Sequence, residues 1–392
     1  MNSGGYSYSS SAYRPQLPCS KMLIIKKTEL VFYLVLLYFC LPKIDLFMVP
    51  GTLTGFRLQD IISACVFLLL LNNTVKIESA LLVAFLVLHS FYSSVVWGNF
   101  QTVLGLVRFV EYYAIALGLL YIVRNDLFQR FLKLSFLFLG GLSILQFSLL
   151  VPNIDPGRGL LRSHEFSGSF GTPAELSYFV VGCLFLSSIV YTKPNRYSFL
   201  SLAVLLNGVK AVALGFLVVY WSVLKNLRSI IIVPSVVVIL FFIYLARENV
   251  MLGLQMLDLV AANITSANAG FDDLKSGSDM MKDSSGTLSH RIGKWTNSLS
   301  IMYQYPFGLI FGFGIYSQGG AVDGGIVRFI YEFGLVVSIY VVALLSKLSF
   351  RFLVFVLSVN LLFDAFMSSV VMPLLLTILL YLLEKQRYKE TR

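Results

Sequence analysis

The run Thr102–Val123, TVLGLVRFVEYYAIALGLLYIV, decides the fold class. It is roughly twenty residues of nearly continuous apolar sequence, the length an α-helix needs to cross a bilayer. Its two charges, Arg108 and Glu111, stand three residues apart on one helical face, so their plain reading is a paired, buried ion couple. Runs of the same kind recur along the chain, within Thr28–Pro50, where Lys43 and Asp45 bring the far end to the interface early, and at Phe56–Leu71, Ile77–Val96, Phe131–Val151 and Pro173–Tyr191. They do not alternate in polarity, which argues against a transmembrane barrel. The 392 residues are 57% hydrophobic and 13% charged, too little charge to cover a soluble domain. Mean hydropathy is +0.80. The expected fold is therefore an all-α polytopic membrane protein.

A net charge of +10 reads as Lys and Arg in cytoplasmic loops rather than as a nucleic-acid footprint. Of the four cysteines, Cys40, Cys65 and Cys183 fall in or beside apolar runs and behave as small hydrophobes. Neither they nor Cys19 show metal-ligand spacing, so no metal is expected. Residues 1–21 are rich in Ser, Tyr and Gly and read as a flexible cytoplasmic tail, without the pattern of a signal peptide. Residues 22–392 read as a single transmembrane domain.

Loop charge sets the expected topology. Asn72–Lys76, Arg124–Arg130, Thr192–Arg196, Lys225–Arg228, Ser346–Arg351 and the tail Lys385–Arg392 all carry Lys or Arg, as do Lys26 and Lys27. These segments fall on one side only if Tyr197–Leu224 is two short spans broken at Asn207-Gly208, with Lys210 deep in the membrane. Such breaks are tolerated against protein or a wet cavity. With Ile230–Ala246, Ile326–Leu345, Phe352–Phe366 and Ser369–Leu383, the chain is expected to make about twelve spans, with both termini cytoplasmic. Two loops then face outward: 152–172, and the long segment 247–325.

Within and beyond that long loop, Ser289–Leu335 reads SHRIGKWTNSLSIMYQYPFGLIFGFGIYSQGGAVDGGIVRFIYEFGL. It gathers His290, Arg291, Lys294, Asp323, Arg328 and Glu332 around a run of glycines, and charge beside hydrocarbon is costly. Val250–Ile264 has helical apolar spacing suited to the membrane surface, and Thr265–Ser285 has linker composition. Ser289 is placed to cap a helix from His290 to about Tyr303. On it Ile292, Trp295, Leu299 and Met302 would form an apolar stripe, with Arg291, Lys294 and Ser298 opposite. The plain reading of that basic face is contact with lipid headgroups. The alternative is a grip on a phosphate-linked substrate. Gly312 and Gly314 are not a dinucleotide fingerprint, because no βαβ context surrounds them.

The order of these features resembles the O-antigen polymerase and ligase superfamily of bacterial envelope glycosyltransferases, from roughly Thr28 to Leu383. The likeness rests on the arginine-bearing loop after the fifth span, a broken span with a cation, and Arg291 four residues before Trp295. It extends through the Pro306-Phe307-Gly308 and Gly312-Phe313-Gly314 turn to the helix carrying Glu332, Gly334 and Leu335. The resemblance implies a bacterial inner-membrane enzyme acting at the periplasmic face on sugar chains carried by undecaprenyl diphosphate. It also implies transfer to an acceptor hydroxyl with no metal, cofactor or nucleotide sugar, often beside a chain-length regulator. Polymerases extend another lipid-linked repeat, whereas ligases transfer to lipid A–core. Two features point to polymerase. Asp323-Gly324-Gly325 stands where many ligases carry a histidine, and Gly168–Leu176 is similar to the approach to the sixth span in polymerases. The chain departs from the family in having Val209-Lys210 where a Ser-Arg pair is common, and Lys is a point charge rather than a bidentate clamp.

Such chemistry needs cations beside the leaving diphosphate and a base near the acceptor hydroxyl. The cation candidates are Arg158, Arg162, Lys210 and Arg291, with His164, Glu175, Lys294 and Arg328 joining the substrate-binding set. Each has a plainer alternative: headgroup contact for Arg158 and Arg162, snorkelling for Lys210, and an intrahelical pair with Glu332 for Arg328. The base candidates are Asp323 and His290 first, then Glu332, with His164, Glu165 and Glu175 also considered. Asp323 could serve turn chemistry, Glu175 a helix start, and an exposed histidine only solvation. A different class, a lipid-linked oligosaccharide flippase or other carrier, would show matching breaks in two halves, and only one is legible.

Overall fold

The computed structural model describes residues 19–42, 45–48, 55–74, 77–98, 101–148, 169–170, 173–191, 295, 298–315, 324–360, 366 and 368–390. The expected break at Asn207-Gly208, the span Ile230–Ala246 and the segments Val250–Ile264 and Thr265–Ser285 lie outside them. In chain order the described elements are α1 (Cys19–Cys40), β1 (Asp45–Met48), β2 (Gly55–Arg57), α2 (Leu58–Thr74), α3 (Ile77–Trp97), α4 (Gln101–Arg124), α5 (Phe128–Phe147) and α6 (Pro173–Val190). They continue as α7 (Pro306–Phe311), α8 (Gly325–Leu348), α9 (Phe350–Asn360) and α10 (Val371–Glu390).

The molecule is an all-α membrane protein in its architecture. Thr102–Arg124, Phe128–Gln146 and Gly325–Leu348 are long and apolar enough to cross a bilayer, and Leu58–Leu71, Ala84–Trp97, Ala174–Val190 and Phe350–Asn360 are shorter apolar helices. Leu68, Leu88, Phe91, Ile144 and Ile339 are each about two-thirds exposed. In water, outward apolar surface on this scale would drive association; against lipid it costs nothing.

Helix α4 is the axis of the bundle and packs against α1, α2, α3, α5 and α10. Every residue from 111 to 120 is buried. Gly118 permits this close approach, since a Cβ there would strike Val35 of α1 and Val66 of α2. Aromatic packing ties in the rest. Phe39 meets Phe131 and Phe179, and Phe185 of α6 stacks on Phe355 of α9 with ring centroids 4.4 Å apart.

Basic helix ends collect at one pole. Arg124 pairs with Glu384, Arg130 with Glu29 at 2.9 Å, and Tyr191 stacks on Phe128. The ends of α4, α6 and α10, the start of α5 and the middle of α1 at Glu29 are thereby brought together. Asp126 turns the α4–α5 corner in the left-handed region (φ 59°), which a short polar side chain tolerates.

At the other pole the first helix stops early in the stretch Thr28–Pro50, as Lys43 and Asp45 lead one to expect. It begins at Cys19 and stops at Cys40, where Pro42 cannot continue it. A short antiparallel hairpin follows, pairing Asp45 with Arg57 and Met48 with Gly55.

Candidate functional site

Helix α8 is not continuous. Gly334 has φ 80° and ψ 169°, outside any helical region, and divides the helix after Phe333. The last carbonyls of the first half lose their intrahelical donors. The glycine-rich turn after α7 replaces them: Phe313 N–H donates to Tyr331 O at 2.9 Å, and Gly314 N–H donates to Glu332 O at 3.0 Å. The approach is so close that only glycine fits on either side. A Cβ on Gly334 would meet the backbone of Ile310, Phe311 and Gly312, and one on Gly312 would meet the backbone of Glu332 and Phe333. The turn after α7 and the break in α8 thus lock together by main chain.

Side chains close the assembly. Phe313 stacks on Tyr331 with centroids 4.6 Å apart, and Trp97 of α3 lies 4.8 Å from Phe313. His89, buried on α3, approaches Phe311 O with Nε2 at 3.2 Å, a bond in which Nε2 carries the proton. Its ring lies 5.3 Å from Phe333. Gly314 presses against Ser93 and Thr102, and Gly324, the residue before α8, lies against the indole of Trp295. Trp295 is therefore packed against the start of α8.

On the first half of α8, Arg328 Nε donates to Glu332 Oε1 at 2.8 Å, and each residue is only 2% exposed. The four-residue spacing makes the pair on one face, as expected. Taking both charges out of water is costly, and the ion pair is retained at that cost.

A second buried polar assembly sits at the hairpin pole. Arg108 pairs with Glu111 at 2.8 Å and also with Asp60, and it donates to Gly55 O of β2. The Tyr38 hydroxyl is 3.0 Å from Glu111 Oε1 and 2.9 Å from Ser369 O. Next to it, Ser368 Oγ donates to Glu175 Oε1 at 3.0 Å. The polar series Asp60, Arg108, Glu111, Tyr38, Ser369 and then Ser368–Glu175 crosses α2, α4, α1, the turn before α10, and the first turn of α6.

Of the candidates read from sequence, the structure places Glu332, Arg328 and Glu175. Glu332 and Arg328 are partners. Glu175 belongs to the hairpin-pole assembly, where its contact is with Ser368. Arg158, Arg162, His164, Lys210, His290, Arg291, Lys294 and Asp323 lie outside the described residues. One assignment on the 290s helix is corrected. Ser298 is fully buried and Leu299 is 40% exposed, so the expected polar and apolar faces are rotated there; Met302 is buried as expected. Asp60, Tyr38 and His89 were missed as partners. Their signal was present: an acid opening an apolar helix, and a histidine amid the run Ile77–Val96.

No metal-ligand cluster occurs among the described residues. No protein-family model matches the sequence, and a search of characterised proteins returns no match.

Proposed function

We propose that this chain is a polymerase of undecaprenyl-diphosphate-linked oligosaccharide repeat units, acting at the periplasmic face of a bacterial inner membrane. In this reading the chain crosses that membrane about twelve times. Both termini are cytoplasmic, and loops 152–172 and 247–325 are periplasmic. The basic pole faces the cytoplasm, in line with the charge rule. The observation that carries the proposal is the Arg328–Glu332 pair, buried on a half-helix that ends in a glycine break. Charges kept at membrane depth beside an interrupted helix mark a substrate path more often than a structural accident.

The reaction is a glycosyl transfer. An acceptor hydroxyl oxygen bonds to the anomeric carbon of the donor chain. The bond from that carbon to the diphosphate oxygen breaks, and its electron pair leaves with undecaprenyl diphosphate. The hydroxyl proton passes to a base drawn from Asp323, His290 and Glu332, in hydrogen-bond reach of the acceptor. Arg158, Arg162, Lys210, Arg291 and Lys294 supply fixed positive charge for the leaving diphosphate. Arg328 positions Glu332. The helix start at Gly325, one residue beyond Gly324 and beside Trp295, adds the positive end of a helix dipole on the same side.

The test uses purified protein in bilayer discs supplied with a lipid-linked repeat unit. Longer lipid-linked chains and released undecaprenyl diphosphate support the proposal, and their absence refutes it. A second reading has one observation in its favour. If Asn207-Gly208 is also a break, Gly334 gives each half of the chain an interruption, as secondary transporters have. A flippase would move the lipid-linked unit across the disc without lengthening it.

A further inference from the structure

A cavity of about 490 Å³ opens at the basic pole, between the ends of α6, α8 and α10 and the start of α9. Its lining includes Lys347, Arg351 and Lys385, with the hydroxyl-bearing Ser188 and Ser349 and the amide of Gln386. Among the described residues that line it there is no carboxylate. Glu384, the acid next in sequence to Lys385, is instead paired with Arg124. Lys347 and Lys385 thus converge with Arg351 and several hydrogen-bonding groups on one concave space, where a cluster of positive charge suits an anion.

The surface above the cavity completes the picture. Helix α8 runs down to Lys347, and on its outer side Val336, Ile339, Tyr340, Val342 and Ala343 are exposed. Positions 336, 339, 340, 343 and 347 share one face at spacings of three and four. An apolar lane therefore leads into a cationic pocket. A soluble anion has use for the pocket alone. A molecule with acyl chains and an anionic head has use for both.

We infer that the pocket formed by Lys347, Arg351 and Lys385 binds the phosphate headgroup of an anionic phospholipid, whose acyl chains lie along the exposed face of α8. This proposal does not depend on the polymerase reading. The plainer account of these cations is that they complement helix C-termini and obey the loop-charge rule. That account asks only for charge at the pole, with no cavity and no leading apolar lane, and it predicts that any exposed cation at the pole matters equally.

The experiment is native mass spectrometry of the full chain released from bilayer discs of phosphatidylcholine containing a minority of phosphatidylglycerol. The wild-type protein should retain phosphatidylglycerol in preference to phosphatidylcholine. Each headgroup contact removed should cut that retention about fivefold, and the triple change K347Q/R351Q/K385Q on the order of a hundredfold. K133Q, which removes an exposed cation on α5 outside the pocket, should leave retention unchanged. Glycerol 3-phosphate added in excess should not displace the lipid if the acyl lane contributes. Equal retention of the two lipids by the wild type, or an equal loss in K133Q and K347Q, overturns the proposal. Full displacement by glycerol 3-phosphate overturns the lipid and leaves a soluble phosphate ester as the ligand. Because K347Q changes one exposed side chain, it keeps the test open should the triple variant not fold.

Discussion

Gly334→Ala is the sharpest test of the broken helix. At φ 80° and ψ 169° this residue occupies a region that is essentially glycine's alone. Placing alanine there costs about 1–3 kcal/mol in backbone strain. The new methyl also meets backbone rather than a side chain that can turn away, namely Ile310, Phe311 and Gly312. Overpacking of that kind adds about 1–3 kcal/mol. The two terms give roughly 2–6 kcal/mol of destabilisation. With an unfolding entropy of about 2.1 cal/mol/K per residue, this lowers the melting temperature of a chain this size by about 2–7 °C. Helices that persist in the unfolded state reduce that entropy and enlarge the shift. The assay is thermal loss of the monodisperse peak in detergent, with Gly140→Ala and Gly141→Ala as comparisons. Those glycines lie inside α5 with open space around them, so alanine there should raise stability by up to about 1 kcal/mol. If Gly334→Ala melts with the wild type, the break and its cap at Phe313 and Gly314 are not as described.

The remaining predictions concern the two polar assemblies and the distant cations. Arg108→Ala strands Asp60 and Glu111 and should cost about 3–5 kcal/mol, seen as lost monodisperse protein; neutralising both acids in that background should recover part of the yield. Tyr38→Phe, which removes the hydroxyl between Glu111 and Ser369, should cost about 1–3 kcal/mol in the same melting assay. Glu332→Gln preserves side-chain size but leaves the buried Arg328 charge without its carboxylate, so it should lower the melting temperature, and polymer made per folded protein should vanish; normal polymer would remove Glu332 and its partner from the site. Lys210→Ala and Arg291→Ala should likewise abolish polymer with the protein still made, and normal long chains in both would sink the cation assignment.

Much of the fold was legible because hydrocarbon length is a strong signal. Ile77–Val96 and Pro173–Tyr191 match α3 and α6 within one residue at each end. The Arg108–Glu111 and Arg328–Glu332 pairs were legible from spacing alone. What escaped was tertiary. Nothing local in Asp60 or Tyr38 says that they meet Arg108 and Glu111, because those contacts join α1, α2 and α4. The break at Gly334 escaped because a single glycine inside an apolar helix is ordinarily tolerated. Only the arrival of Phe313 and Gly314 supplies the donors that make the break affordable. The face of the 290s helix was misphased at Ser298 because a serine reads as polar, whereas here it is enclosed.

The central claim, polymerisation of lipid-linked repeats, is tested most directly by the lipopolysaccharide banding pattern after deletion of the gene, with the intact gene restored as control. The account predicts that the ladder collapses to core bearing a single repeat and returns on restoration. An unchanged ladder would contradict it. So would core with no repeat at all and polymer accumulating on undecaprenyl diphosphate, which is the outcome expected of a ligase.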